Sequence, residues 1–301
     1  MPNASSSRSF DMPEQYHYRA TIKSGLSDEL INTYLLRPLA GLIVRLLYNT
    51  RVSPNQVTAA AIVAGIGAAA MYAQGTGAAV MAGGLLVTVK DLLDSADGQL
   101  ARARSQYSRI GRFLDSTGDV VVNFFVFSAI GWTLYQNTGD WRPVLLSGMA
   151  FVGITLRVSY HVFYQASYLH LEGKYEKNRI IEEVTDEDRR GDAITLQFQK
   201  IFVAIYGWQD RLMLRIDEWC RGGRMDEDFR QRWYSDAVGL RLSGFLGFGT
   251  ELFLLTACSL LDRLELYLLL NLGVMNAVLL LSVAYRRWGL AARITSSGAT
   301  S

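Results

Sequence analysis

The chain has 301 residues with 30 basic and 28 acidic side chains, so its formal charge at pH 7 is only +2. Half of the residues are apolar, and the mean hydropathy is positive at +0.13. This composition excludes a typical soluble protein, and it is also too charged for a bare bundle of membrane helices. It predicts a membrane protein with one polar side.

The first 28 residues form a polar tail without an apolar core, so they do not resemble a signal peptide. We therefore expect membrane insertion to depend on internal segments. The two cysteines, Cys220 and Cys258, lie in a charged segment and in an apolar run. These different contexts argue against a disulfide.

Residues 29–53 are predicted to form an interfacial amphipathic helix and a linker. The stretch ELINTYLLRPLAGLIVRLLY is apolar but contains Arg37, Pro38 and Arg45. A spanning helix would bury both arginines, at about 2.5–3.5 kcal/mol each near the bilayer centre. A helix lying in the interface avoids this penalty. Pro54 is suited to begin the helix that follows.

Six apolar segments follow, each long enough to cross a hydrocarbon core of about 30 Å. The predicted fold is therefore all-α, a polytopic membrane protein with six transmembrane helices plus the N-terminal interfacial helix. We place helices 1–4 within 54–170, a polar insert at 171–240, and helices 5–6 with a C-terminal tail at 241–301. The six segments are about 56–74, 77–100, 111–136, 143–169, 242–261 and 264–285.

The distribution of basic residues predicts the orientation. With a cytosolic N-terminus, the outside loops contain only Arg142 and Arg263, whereas the inside segments contain the remaining loop arginines. We therefore expect a multi-pass integral membrane protein, in the cell inner membrane if the source is bacterial. The stretch that contains residues 94–119 then lies on the cytosolic side.

The insert at 171–240 contains the acidic run EEVTDEDRRGD at 182–192, which is predicted to be a solvated loop. Apolar residues then recur at helical spacing, which predicts a helix packed on the membrane surface or on the rest of the protein. The insert has no clustered His, Cys or Gly signature, so a separate catalytic module is not expected. The apolar positions are Phe198, Ile201, Phe202, Ile205, Trp208, Leu212, Ile216 and Trp219.

Four aspartates flank the turn between the second and third predicted spans. Asp94 and Asp97 are three residues apart, and Asp115 and Asp119 are four apart, so each pair shares a helix face. Two antiparallel helices could aim all four carboxylates at one point. Carboxylates that converge in this way repel one another unless cations lie between them. Oxygen ligands suit magnesium, manganese or calcium, and paired metals are typical of displacement at phosphorus.

Small residues beside these aspartates leave room for a ligand. Gly98 and Ala101 have no bulky side chain, and Arg102 has a guanidinium suited to phosphate. A phosphate-containing ligand held by metals and an arginine is the predicted occupant.

The motif D-x-x-D-G-x-x-A-R-x(8)-G-x-x-x-D-x-x-x-D resembles the signature of the CDP-alcohol phosphotransferase (CDP-alcohol phosphatidyltransferase) family. Family members have six spanning helices and an interfacial helix, with the signature running from the second span into the third. Pro54-Asn55-Gln56-Val57-Thr58 is similar to a Pro-Asn-x-[Ile/Val]-Thr segment of the family. The insert at 171–240 lies outside the resemblance. The motif positions are Asp94, Asp97, Gly98, Ala101, Arg102, Gly111, Asp115 and Asp119.

The resemblance implies roles for these residues. Asp119 would contact a metal and act as general base on the acceptor hydroxyl. The cofactor would be magnesium or manganese, as two divalent ions. Asn55 and Thr58 would either only begin a helix or also contact the donor. The implied metal ligands are Asp94, Asp97, Asp115 and Asp119, and the implied CDP-binding residues are Gly98, Ala101, Arg102, Gly111, Asn55 and Thr58.

The implied reaction is attack of an acceptor alcohol on the β-phosphorus of a CDP-linked donor, with release of CMP. The favoured donor is CDP-diacylglycerol, which would make the protein a phosphatidyltransferase of phospholipid biosynthesis. The alternative is a choline- or ethanolamine-phosphotransferase that uses CDP-choline or CDP-ethanolamine and diacylglycerol. A third reading is a non-catalytic ion-binding or transport protein. Membrane lipid and a second copy of the chain, as a homodimer, are expected partners; nucleic acid is not.

The charged residues outside the motif do not identify the acceptor alcohol. Arg157 and His161 lie four residues apart on the fourth span, and Arg157 should face the bundle interior with a partner. Pairing with Glu251 and a place in the acceptor pocket are both consistent with this position. Arg112 either marks the cytosolic side or binds acceptor phosphate. Lys90 could neutralise Asp94 from one turn away.

Overall fold

The computed structural model describes residues 29, 31–173 and 182–298. These ranges contain helices and turns but no strand, which confirms the all-α prediction. The predicted polar tail at 1–28 lies outside the described residues.

The helices are labelled here in chain order. Two π-helical segments interrupt the C-terminal run of helix, and one precedes the first α-helix. The bounds are π-helix Asn32–Leu36, α1 Arg37–Leu47, α2 Pro54–Gln74, α3 Gly77–Ala103, α4 Arg109–Thr138, α5 Arg142–Leu171, α6 Asp186–Arg190, α7 Ala193–Arg221, α8 Glu227–Tyr234, α9 Ala237–Gly244, α10 Phe248–Leu260, α11 Leu264–Leu269, π-helix Leu270–Met275, α12 Asn276–Ala284, π-helix Tyr285–Leu290 and α13 Ala291–Gly298.

Five helical segments of the described chain are long and apolar enough to cross a membrane, and the protein is an all-α polytopic membrane protein. The predicted second span corresponds to α3, which has 27 residues but carries Lys90, Asp91, Asp94 and Asp97 in its second half. Because of these charges, α3 is not one of the five apolar segments. The prediction of six transmembrane helices stays a prediction. The five segments are Pro54–Gln74, Arg109–Thr138, Arg142–Leu171, Ala237–Leu260 and Leu264–Thr295.

Local sequence chemistry sets the ends of the helices that surround the motif. Ser53 and Gln56 form a capping box in which each backbone N–H donates to the other side chain, at 2.8 Å from Ser53 and 3.3 Å from Gln56. Pro54 is the first residue of α2, as predicted. Ser108 caps α4 by accepting a hydrogen bond from the Gly111 backbone N–H at 2.8 Å. These caps determine where the motif-bearing helices begin.

Close helix packing brings the charged end of α3 beside the start of α4. Helix α3 packs against α1, α2 and α10, and α2 also packs against α4. A Cβ at Gly65 of α2 would collide with Val122 of α4, and one at Gly84 of α3 would collide with Ser259 of α10. These glycines therefore permit backbone approaches that a side chain would prevent.

Helix α1 is amphipathic, as predicted for residues 29–48. It buries Ala40 and Val44 against Leu100 of α3, whereas Leu42 and Leu46 are exposed. The exposed leucines suit a helix at a lipid interface, and that location stays a prediction.

The predicted amphipathic helix of the insert is present as α7, but its buried face differs from the apolar stripe. Ile201, Trp208 and Trp219 are exposed, whereas Gln209 and Asp217 are buried. The buried polar groups have hydrogen-bond partners inside the protein, so burial does not leave them unsatisfied. Packing on the rest of the protein is confirmed for part of the stripe, since Leu212 and Ile216 pack on a core cluster. Packing on the membrane surface stays a prediction.

Candidate active site

Three of the four motif aspartates converge at the junction of α3 and α4. Asp94, Asp97 and Asp115 each offer a carboxylate oxygen, and these oxygens lie within 4.8 Å of one another. Helical spacing puts Asp94 and Asp97 on one face of α3, and the turn after Ala103 returns the chain so that α4 presents Asp115 to that face. We refer to these residues as the aspartate cluster.

The aspartate cluster fits a divalent cation. The Oδ1 atom of Asp115 is buried and has no hydrogen-bond partner among the described residues. A buried carboxylate oxygen without a donor is unfavourable unless a cation supplies the missing interaction. Because all the candidate ligands are carboxylate oxygens, the site suits a hard ion such as magnesium, manganese or calcium.

Asp119 lies outside this group of three and has its own cationic partner. Lys90 of α3 is buried and forms an ion pair with Asp119, and its Nζ also lies 3.8 Å from Asp94 Oδ1. The sequence predicted the contact one turn away, with Asp94. It missed Asp119, because that contact depends on how α3 faces α4.

Arg102 folds back over Gly98. A Cβ at Gly98 would come within 3.3 Å of Arg102 Nη1, which is closer than most real Cβ contacts. Gly98 therefore leaves the space in which the guanidinium lies, one residue after Asp97. Ala101, on the next turn of α3, is partly buried.

The Pro-Asn-Gln-Val-Thr segment contacts the motif directly. Thr58 donates a hydrogen bond from Oγ1 to Asp97 Oδ2. A Cβ at Gly111 would collide with Asn55 Oδ1, so Gly111 leaves room for a side chain of this protein. Helix capping falls to Ser53, so Asn55 and Thr58 do more than begin a helix.

Arg104 is a residue whose contacts the sequence did not indicate, since the positive-inside rule already explained it. Its buried guanidinium donates to backbone carbonyls of the loop between α1 and α2: Tyr48 at 2.8 Å, Thr50 at 2.9 Å and Val52 at 2.6 Å. It also donates to Leu47. Arg104 thus fixes the loop that leads into Asn55 and Thr58.

The start of the insert is attached to α4 by ion pairs. Arg112 Nη2 lies 2.6 Å from Glu182 Oε2, and Arg109 Nη1 lies 2.6 Å from Asp188 Oδ1. The hydrogen bond from Arg109 holds the pKa of Asp188 well below its usual range. The predicted solvated loop is therefore wrong for Glu182 and Asp188. We call residues 182–192 the acidic strap.

Helix α7 forms a wall beside the aspartates. The Tyr206 hydroxyl donates to the backbone carbonyl of Ser116 at 2.7 Å, and the rings of Phe202 and Phe113 lie 5.3 Å apart. Ser116 follows Asp115 directly in α4. The insert thus covers the helix that carries Asp115 and Asp119, a contact without a local sequence signal.

Arg157 and Glu251 form the ion pair that the sequence allowed. Arg157 Nε donates to Glu251 Oε1 at 2.7 Å, and both side chains are fully buried. Arg157 Nη1 also donates to Asn276 Oδ1 at 2.6 Å. His161 is buried one turn further along α5, with Nε2 at 3.9 Å from Glu29 Oε1. These residues belong to a polar cluster of α5, α10 and the C-terminal helical run.

Comparison with known proteins supports the resemblance seen in the motif. Residues 51–177 match the CDP-alcohol phosphatidyltransferase family. That range includes α2, α3, α4 and α5, so the helices that carry the whole motif are similar to this family. The match ends before the acidic strap and α7.

Several curated relatives are similar to part of the chain. An uncharacterized protein of Aquifex aeolicus is 35% identical over 127 residues, which cover 42% of this chain and 60% of that protein. A bifunctional IPC transferase and DIPP synthase of Aquifex aeolicus is 31% identical over 45% of this chain and 30% of its own length. The protein of the same name from Archaeoglobus fulgidus is 30% identical over 44% of this chain and 26% of its own length. The chain thus spans less than two thirds of each of these relatives.

Proposed function

We propose that the protein is a membrane-embedded CDP-alcohol phosphotransferase that transfers a substituted phosphoryl group from a CDP-linked donor to an acceptor alcohol. The observation that carries this proposal is the aspartate cluster with the unpartnered Asp115 oxygen, inside the range that matches the CDP-alcohol phosphatidyltransferase family. Three converging carboxylates, with Arg102 on the same helix as Asp94 and Asp97, suit a site for a metal-bound diphosphate.

The proposed roles follow the motif. Asp94, Asp97, Asp115 and Asp119 hold two divalent ions, magnesium or manganese, which supply charge stabilisation for the pyrophosphate when bound. Arg102 pairs with the diphosphate, and Gly98, Ala101 and Gly111 line the CDP site. Gly98 leaves the space in which the Arg102 guanidinium lies, and Gly111 leaves space for the Asn55 side chain. Asn55 and Thr58 support the site from α2, consistent with the Thr58–Asp97 hydrogen bond.

In the proposed reaction the acceptor oxygen forms a bond to the β-phosphorus as the bond from that phosphorus to CMP breaks. CMP leaves with the electron pair. Asp119 accepts the acceptor's proton, because an alcohol with a pKa of about 15 must lose it as the bond forms. Lys90 holds one oxygen of Asp119 and leaves Oδ2 for this role.

We favour CDP-diacylglycerol as donor, which makes the reaction a phosphatidyl transfer in phospholipid biosynthesis. The exposed leucines of α1, beside the motif-bearing end of α3, suit the acyl chains of such a donor. Arg112 and His161 remain proposed acceptor residues, whereas the buried ion pair of Arg157 with Glu251 argues against the acceptor contact that the sequence allowed for Arg157. We place the site at the cytosolic face, in the cell inner membrane if the source is bacterial. The homodimer stays a prediction that light scattering in detergent tests.

The test is CMP release by the purified full chain with CDP-diacylglycerol and a panel of acceptor alcohols. Release should require magnesium or manganese and stop with EDTA. CDP-choline or CDP-ethanolamine with diacylglycerol forms the second arm, and turnover only in that arm would identify the aminoalcohol phosphotransferase. If the rate of CMP release in excess EDTA equalled the rate in magnesium, the proposal of metal sites would be contradicted. A protein that neither binds cytidine nucleotides nor releases CMP would be a non-catalytic ion-binding or transport protein.

A further inference from the structure

The strap and the buried ion pair bear on the chemical class of the acceptor, an inference that rests on the proposed function. A phosphorylated acceptor needs convergent cations. Arg112 and Arg157 are the two cations that the sequence singles out for this role. The structure pairs each of them with a carboxylate of this chain.

The acidic strap neutralises the arginines at the start of α4. Glu182 lies 2.6 Å from Arg112 Nη2 and 3.4 Å from Arg109 Nη2. Gln199 of α7 donates to Glu182 Oε1 at 3.1 Å and to Asp188 Oδ2 at 3.0 Å, which holds both acids on the arginines. The strap is thus attached at several points.

The position of Arg112 makes this pairing relevant to the site. Arg112 lies three residues before Asp115, on the same face of α4 and one turn away. A phosphate that approached Arg112 would have to displace Glu182 or lie beside its carboxylate, and like charges at such distances repel. The strap therefore opposes a second anionic group at this side of the cluster.

The second candidate cation is held more firmly. Arg157 and Glu251 are both fully buried, and Asn271 Nδ2 donates to Glu251 Oε2 at 3.0 Å. Drawing Arg157 to a phosphate would leave Glu251 buried without its countercharge, which is strongly unfavourable. We therefore expect Arg157 to stay paired with Glu251 and not to bind an acceptor phosphate.

We infer that the acceptor is an alcohol without a phosphate group, and that Glu182 is a specificity-determining residue that disfavours phosphorylated acceptors. Glu182 lies outside the family match at 51–177, so this selection is a property of the insert. The Glu182 carboxylate acts by neutralising the positive charge of Arg109 and Arg112 beside the acceptor.

The test compares matched acceptors, glycerol against glycerol 3-phosphate and inositol against inositol phosphate, by kcat/KM for CMP release. The wild-type chain should prefer the unphosphorylated member of each pair. Glu182→Gln should raise kcat/KM for the phosphorylated member about fivefold, the upper end of the range for a charge pair near the surface, and leave the other member unchanged. Glu183→Gln, an exposed neighbour in the same strap, is the control and should change neither.

A wild-type preference for phosphorylated acceptors would overturn the inference. So would an equal rise for both members in Glu182→Gln, because that indicates loosening of the strap rather than selection by charge. Direct binding of glycerol 3-phosphate, measured calorimetrically in magnesium, provides a readout without turnover and should be tighter in Glu182→Gln. If no acceptor yields CMP, the proposed function fails, while this binding measurement still decides the role of Glu182.

Discussion

Two buried carboxylate sites in this protein differ in how their oxygens are satisfied. Asp217 of α7 is fully buried and accepts hydrogen bonds from Tyr164 Oη at 3.0 Å, Trp233 Nε1 at 2.8 Å, Tyr234 Oη at 2.8 Å and Arg221 Nε at 2.8 Å. In the aspartate cluster, three carboxylates converge and Asp115 Oδ1 has no donor among the described residues.

The difference separates a carboxylate whose two oxygens are both hydrogen-bonded within the protein from one that has an oxygen without a donor. Four donors from α5, α7 and α8 saturate Asp217, so it joins these helices and has no capacity left for an external cation. In the aspartate cluster Thr58 donates to Asp97, but Asp115 Oδ1 has no donor among the described residues, which is unfavourable for folding alone. Replacing residues in each site should therefore affect different properties.

The largest expected effect is on transfer activity at the aspartate cluster. Asp115→Asn should lower kcat by about 10²–10³-fold, because one charged ligand of the proposed metal site is lost at the reacting phosphates. The melting temperature in detergent should not fall, since the change reduces repulsion. Asp186→Asn, at an exposed position of the strap, is the control. An active Asp115→Asn protein would remove the cluster from the reaction.

Asp217→Asn should instead affect stability. Breaking a buried, fully paired carboxylate site is expected to lower the free energy of unfolding by about 3 kcal/mol. Thermal unfolding in detergent measures this, and the fraction that remains folded should retain the wild-type KM for donor. Glu218→Gln, its exposed neighbour, serves as the comparison. Unchanged stability would show that the four hydrogen bonds do not join these helices.

Replacing Lys90 could affect both transfer activity and stability, because Lys90 is buried like Asp217 but contacts the motif. Lys90→Met should lower kcat about 10–100-fold through the loss of the group that orients Asp119, as is typical for residues that support a metal site. Lys90→Arg should restore part of the rate, with donor KM unchanged in both variants. A pure loss of folded protein, with normal kcat per folded molecule, would make Lys90 structural only.

Arg104 should affect donor binding more than chemistry. Lysine at this position cannot reach the backbone carbonyls of Leu47, Tyr48, Thr50 and Val52 together, so the loop before Asn55 should loosen. Arg104→Lys is expected to raise donor KM about tenfold, equivalent to about one lost charged hydrogen bond, with little change in kcat. Arg51→Lys, in the same loop, is the control. Equal falls in kcat and in stability would indicate a general folding role.

The smallest expected effect is the pH dependence of the strap. Because Arg109 lowers the pKa of Asp188, this pairing contributes to strap docking above the unfolded pKa of about 4 and is lost as pH falls through the lower folded value. Hydrogen exchange of the strap, corrected for intrinsic rates, should therefore be constant from pH 8 to 5 and faster only in stronger acid. Asp188→Asn should show the faster exchange already at pH 7. Loosening between pH 8 and 5 in the wild type would assign docking to another group.

The sequence predicted the helices, the amphipathic nature of α1 and the motif because each depends on local spacing. Residues three or four apart share a helix face whatever the fold, so the pairs Asp94/Asp97 and Asp115/Asp119 were readable directly. Ser53 and Pro54 likewise indicate the start of α2, because a capping serine and a proline at the first helical position act within one turn.

Long-range packing decided the rest, because helical periodicity shows which residues share a face but not what that face meets. Lys90 on Asp119, Arg104 on the carbonyls of its neighbouring loop, and Glu182 on Arg112 all join segments far apart in the chain. The burial of Asp217 with the exposure of Trp208 on the same helix has a related cause: an apolar face can meet lipid, and a polar face can be buried once donors surround it. The sequence alone thus determined the proposed reaction at phosphorus. The tertiary structure decided which charged side chains are already paired within the protein and which could contact the acceptor.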